Sequence, residues 1–333
     1  MSERNARLWH GNLVEVKTPD EIIQTLDAEG ALDHLPFMPE MLEFCGRRFR
    51  VSRQALTLCF SGEGGHRGFN ADDVVTLDGV RCSGAAHDRC QKACMIFWHA
   101  AWLRKVEDTA LEPQADLRGM DRLRARLKVS TGPKTYYCQA SELSKATGSL
   151  SRSERLRRYV RGLRAGNFNA QQMAQSVGIW LFWTIRKMFL GVHARGRSGS
   201  TPTESLNLQP GEWVEVKTLQ SIIETLDEHG CNRGLYFSPD MRLWCGRRCR
   251  VKERLDNIIA DGTGQMRQLR NTVYLEGSTC GCSYMGLGMS GCSRGELSYW
   301  REIWLRRCDG PGDVPASQTV NALGAKSTFD RRE

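Results

Sequence analysis

The 333-residue chain carries 13 cysteines, and these, with the histidine among them, are the side chains best suited to chemistry. Cys82-x4-His87-x2-Cys90-x3-Cys94 gathers four soft or borderline ligands into one short stretch. Zinc favours a tetrahedron of Cys and His, commonly a close pair joined by a distant ligand. Cys45 is the candidate distant ligand, because it stands at a turn that a β-fold can bring alongside. An iron–sulfur cluster accepts four cysteines equally well, and the spacing alone does not choose between the two. A second constellation, Cys245, Cys280, Cys282 and Cys292, follows near the other end of the chain. Setting Trp300 on Trp98 places Cys292 on Cys90 and Glu296 on Cys94, while Cys280 matches Cys82 and Cys245 matches Cys45. Cys282 is additional, and replaces the missing ligand if the loop after it folds back. No catalytic residue is identified; if either site is catalytic it needs an exchangeable position, and the second constellation, with Glu296 in the fourth place, is then the candidate. Cys59, Cys138, Cys231, Cys249 and Cys308 read as small apolar core residues.

The elements that must position these groups occur twice. Val14–Val51 aligns without a gap on Val214–Val251, with 21 identities in 38 positions. Each copy opens on an alternating strand, Val14-Glu15-Val16-Lys17 in the first. Thr18, Pro19 and Glu21 then spell a helix start with a capping box, which Ser221 weakens in the second copy. Cys45-Gly46 reads as a turn into a basic–apolar strand, and Val74–Val80 and Thr272–Gly277 read as strands that lead to Cys82 and Cys280. Trp98/Trp102 and Trp300/Trp304 are spaced to share a helix face, where large apolar residues belong to a core more often than to a base-stacking surface. Arg47-Arg48 and Arg247-Arg248 read as solvated strand edges rather than phosphate contacts. The expected fold class is α+β, with two homologous small β-barrel-like (SH3-like) domains joined by a basic helical connector. The expected units are 8–108 for the first repeat, 109–200 for the connector and linker, 208–308 for the second repeat and 309–333 for a disordered tail.

The net charge of +9 resides in the connector. From Ser151 to Ser198 there are ten Arg or Lys and one acidic residue, Glu154. Leu156, Tyr159, Val160 and Leu163 fall at helical spacing among these arginines, and 173–192 reads as a second, strongly apolar helix. Its Trp180, Phe182, Trp183, Phe189 and Leu190 are expected to pack between the repeats. Arg152–Arg197 offers a surface to an acidic protein, a membrane surface or nucleic acid. The polar N-terminus and the lack of a long apolar run lead us to expect no transmembrane segment and a cytoplasmic protein. Glycine-rich nucleotide loops, Gly-x-Ser-x-Gly elbows and His-Glu-x-x-His helices are all missing, which removes the commonest catalytic motifs.

The strings LPFMPEMLEFCGRRFRV, RCSGAAHDRCQKAC-x3-W-x3-W, YYCQASEL and YWREIWLRR resemble an uncharacterised bacterial family of tandem-repeat, cysteine-cluster proteins of about this length. The resemblance spans nearly the whole chain, and it implies that a second repeat lacking a fourth cysteine is usual there. It implies no established activity. The expected function is a metal-stabilised, zinc-containing interaction or accessory protein in a bacterial biosynthetic pathway, with a protein partner. The alternatives are a zinc or iron–sulfur metalloenzyme of specialised metabolite or polysaccharide synthesis, and a nucleic-acid-binding protein that uses the connector.

Overall fold

Two α+β halves repeat one curled, half-barrel sheet of five antiparallel strands. The computed structural model describes residues 7–59, 66–107, 117–191, 193–280 and 292–311. The first sheet is built from β1 (Leu13–Val16), β2 (Arg48–Gln54), β3 (Val74–Arg81), β4 (Met95–His99) and β5 (Leu103–Lys105), in the spatial order β4-β3-β2-β1-β5. The second uses β6 (Trp213–Val216), β7 (Arg248–Arg254), β8 (Thr272–Thr279), β9 (Leu297–Arg301) and β10 (Leu305–Arg307), in the equivalent order β9-β8-β7-β6-β10. A register shift at Val51/Arg53 recurs at Val251/Glu253, a bulge of the kind that bends a strand and helps the sheet curl.

Alternation in the opening strand decides its two faces. Val14 and Val16 are fully buried, while Glu15 pairs across the sheet with Arg48 at 3.3 Å and Arg104 at 3.1 Å. The helix that follows, α1 (Pro19–Ile23), has the expected box: Thr18 N–H donates to Glu21 Oε2 at 3.0 Å, and Glu21 N–H donates to Thr18 Oγ1. Its counterpart keeps the Thr218 cap but not the reciprocal carboxylate.

The tryptophans are core residues, though not on a helix. Trp98 lies in β4, and Trp102 closes the 3-10 turn Ala100–Trp102. A strand followed by a tight turn brings both indoles inward, which the four-residue spacing alone had suggested for a helix. Phe37 meets them edge-on at 6.2 and 5.2 Å, and Phe237 meets Trp304 at 5.4 Å. Trp102 Nε1 donates to Thr25 Oγ1, and Trp304 Nε1 to Thr225 Oγ1, each at 3.0 Å. Between β2 and β3 lies a further strand, His66–Phe69, which pairs with Leu58–Cys59 and Thr147–Ser149.

The segment between the sheets contains α2 (Met120–Arg126), α3 (Gln139–Ala146), α4 (Arg152–Arg164) and α5 (Ala170–Leu190). Its α5 does not fill the joint with all the residues expected: Phe182 and Phe189 are 60% and 75% exposed, Trp183 is half-buried against Arg242 of the second repeat, and the side chains of Trp180 and Leu190 lie outside the described residues. The cysteine loop of the first repeat and the start of α3 both meet the hairpin Asn257–Ile259/Met266–Gln268 of the second. Gln91 N–H of the loop donates to Asn257 O at 2.9 Å, while Gly262 N–H donates to Ala140 O of α3 at 3.0 Å and Tyr136 N–H to Gly264 O at 2.8 Å. Backbone bonds and buried charge hold the joint, so it does not need the connector's aromatic residues. No helix among the described residues is long and apolar enough to cross a membrane. The expected tail beyond 311 lies outside the described residues.

Candidate metal centre at the joint between the repeats

Cys82 follows the end of β3 and Cys94 precedes β4, so adjacent strands bring them together: Cys82 N–H donates to Cys94 O at 2.8 Å. The same backbone bond joins Cys280 N–H to Glu296 O at 2.7 Å in the second repeat. The two scaffolds therefore superpose a thiol on a carboxylate. Between Cys82 and Cys94 the chain is tightly coiled, with His87 N–H donating to Gly84 O and Cys90 N–H to His87 O, both at 3.0 Å. Gly84 has φ +67°, and a Cβ there would lie 2.0 Å from Cys90 O, so only glycine permits this closure. Asp88, Arg89 and Ala93 also hold positive φ, a cost that persists where the surroundings fix the backbone.

Cys138, read from the sequence as an apolar core residue, is buried in the first core and also lines a cavity there. It precedes α3, whose first residue, Gln139, is buried and clamps the helix onto β4: Phe97 N–H donates to its Oε1 at 2.9 Å, and its Nε2 donates to Phe97 O at 2.8 Å and Pro36 O at 3.1 Å. This places Cys138 on the same cavity as Cys82, Cys90 and Cys94, with His87 and, from the second repeat, Ile259. The cavity offers about 30 Å³ to the centre of a water molecule. Beside it an open cleft of about 390 Å³, reaching Glu253, Asp256 and Asn257, gives a way in to Cys82 and Cys90. Ile259 N–H points at the Cys90 sulfur from 3.3 Å.

The remaining candidates are placed differently. His87 is buried in the wall, with Nδ1 2.7 Å from Glu40 Oε1 and Nε2 3.0 Å from Tyr137 O, so both ring nitrogens are already engaged. Burial opposes its charge, but Glu40 outweighs burial and raises its pKa, while the same pair lowers that of Glu40. Cys45 lies in the apolar core of the first repeat, where burial pushes its thiol up to about 12, and it does not line the cavity. Cys245 packs against the second core, Cys280 is exposed, and Cys282 lies outside the described residues. Cys292 stands with its sulfur 3.3 Å from that of Cys59, a pairing across the repeats that sequence alignment does not reveal. Among the described residues, no three His, Cys, Asp or Glu side chains are grouped so as to hold a metal ion between them.

Buried charge surrounds the thiols. Asp261 of the second repeat accepts from Arg294 at 2.8 Å through each carboxylate oxygen, and from Lys92 of the first repeat. Glu296 lies 2.5 Å from Arg294 and 3.5 Å from Lys92. Burial alone would raise the Asp261 pKa, but Arg294 and Lys92 carry it well below the usual carboxylate range. Burial likewise pushes the Cys94 thiol up to about 12, against the pull of Lys92 and Arg294, and the Cys138 thiol to about 11. The metal-free Cys94 and Cys138 thiols are thus protonated near neutrality. Ligation would release protons, and the two cations stand where new negative charge would form.

No family model, no curated protein and no solved structure matches the chain.

Proposed function

We propose that the joint between the repeats holds an iron–sulfur cluster on Cys82, Cys90, Cys94 and Cys138, and that the protein works as a cofactor-stabilised tandem module. The observation that carries this reading is that four thiols from separate backbone positions line one cavity. A single zinc ion needs its ligands gathered on one point. An iron–sulfur cluster on four cysteines spreads its thiolates over two or four irons instead. Hydrogen bonding to cluster sulfurs tunes potential, and Ile259 N–H is aimed at one of them.

Four thiolates leave no exchangeable ligand, so the centre would join the halves or carry electrons rather than bind a substrate. Glu296, the expected open position, is taken up by Arg294 and Lys92. We read each half-barrel as an SH3-like interaction domain with a protein partner, and the reduced thiols as suited to the cytoplasm. With it we propose an accessory role in a bacterial biosynthetic pathway. The test is purification without oxygen, followed by absorption spectroscopy and metal analysis of the wild type and Cys138→Ser. The expected protein is brown, and the variant loses the colour. A colourless zinc protein whose metal content is unchanged by Cys138→Ser would overturn the assignment.

A further inference from the structure

The connector presents an apolar surface that the fold does not use. Along the C-terminal part of α5, Leu181, Phe182, Ile185, Met188 and Phe189 recur at helical spacing and share one side, and all are exposed. The opposite side carries Ile179, Trp183 and Arg186, which are half-buried. Trp183 leans on the second repeat, with Arg242 over its ring at 5.8 Å and His193 edge-on at 5.9 Å. The exposed side therefore faces away from the contact that seats the helix. Its neighbour α4 behaves alike: Arg158 and Arg161 fasten it to the first repeat through Leu56 O and Gln54 Oε1, and Tyr159 is buried. Leu156 and Val160 remain exposed, with Arg152, Arg157 and Arg164 exposed around them.

We infer that α4 and α5 form an interfacial anchor for an anionic lipid bilayer. Two features together select this partner. The apolar residues are aliphatic and aromatic, and they suit acyl chains rather than phosphate backbone. The segment is basic, ten basic residues against Glu154 between Ser151 and Ser198, and of these Arg152, Arg157 and Arg164 are exposed on α4 with Leu156 and Val160, which complements anionic headgroups. Reversible binding that requires both signals is what this composition produces, since neither a short apolar face nor a basic patch alone holds a protein firmly. Nucleic acid would use the arginines but would leave Phe182 and Phe189 in water.

The experiment is co-sedimentation of the full-length protein with vesicles of phosphatidylcholine alone, or of phosphatidylcholine with about one third phosphatidylglycerol. Binding to the anionic vesicles is expected to be at least about tenfold tighter, and to weaken with salt. Phe182→Ser with Phe189→Ser should reduce it about tenfold or more, and Arg157→Gln with Arg164→Gln should remove mainly the anionic preference. Both pairs are exposed, so thermal unfolding should stay at the wild-type midpoint. Equal and weak sedimentation with both vesicle types would overturn the proposal. So would a large fall in midpoint for the Phe variants, displacement from vesicles by a DNA duplex that binds both Phe variants normally, or a lipid-free dimer that the Phe substitutions abolish.

Discussion

The cysteine loops of the two repeats start from the same backbone and end in different chemistry. Both tie the residue after the third strand to the residue before the fourth by one N–H···O bond, Cys82 to Cys94 and Cys280 to Glu296. In the first repeat the side chains at this position contribute to a thiol-lined cavity. In the second, Glu296 turns to Arg294 and Lys92 and becomes part of the joint. Among the described residues the two copies therefore differ: the first lines the cavity with Cys82, Cys90 and Cys94, and the second places Ile259, Asp261, Arg294 and Glu296 beside them.

Removing the covering charge should have the largest effect. Asp261→Asn leaves Lys92 and Arg294 buried with only Glu296 to balance them, and a broken buried ion pair typically costs about 3–5 kcal/mol. Urea unfolding of the metal-free protein measures this. A loss well below about 1 kcal/mol would mean that water reaches the cluster and that the repeats are loosely joined.

A smaller loss belongs to the His87–Glu40 pair, which ties the cysteine loop to the first repeat. His87 has a raised pKa, so its contribution is complete below its ordinary 6.5 and fades as pH rises through the raised value. Glu40 has a lowered pKa, so its contribution is present above 4.5 and fades as pH falls through the lowered value. The pair should stabilise most between those limits. There, His87→Gln should cost about 2 kcal/mol, with a narrowing difference towards alkaline pH. A difference independent of pH would show that the pair is not ionic.

The smallest contrast lies in the helix caps. Thr18→Ala removes a full capping box and should cost about 1 kcal/mol. Thr218→Ala, without the reciprocal carboxylate, should cost about half as much. Equal losses in thermal or urea unfolding would show that the Glu21 contact adds nothing.

Much of the scaffold was legible because the sequence repeats itself. The alternation of Val14 and Val16, the Thr18 box and the turn at Gly46 each have a local physical cause, and each appears twice or nearly so. The site was less legible. Cys138 lies beyond the cluster in a different element, and only the Gln139 clamp on β4 brings it back. Cys45 stands at a turn, as read, but that turn points its thiol into the core. Trp98 and Trp102 show how one spacing serves a helix face or a strand-and-turn, with the same burial in both. The connector's aromatic residues were assigned to the joint because two domains need contact. Hydrogen bonds and the Lys92–Asp261–Arg294 charges provide that contact, which leaves Phe182 and Phe189 exposed.

The most direct test of the central claim is quantitation of iron, acid-labile sulfide and zinc in anaerobically purified protein, together with Cys82→Ser, Cys138→Ser and Cys45→Ser. The account predicts iron and sulfide in equal amounts in the wild type and in Cys45→Ser, and neither in the other two variants. Zinc without sulfide in the wild type, or loss of the metal through Cys45 but not Cys138, would contradict it.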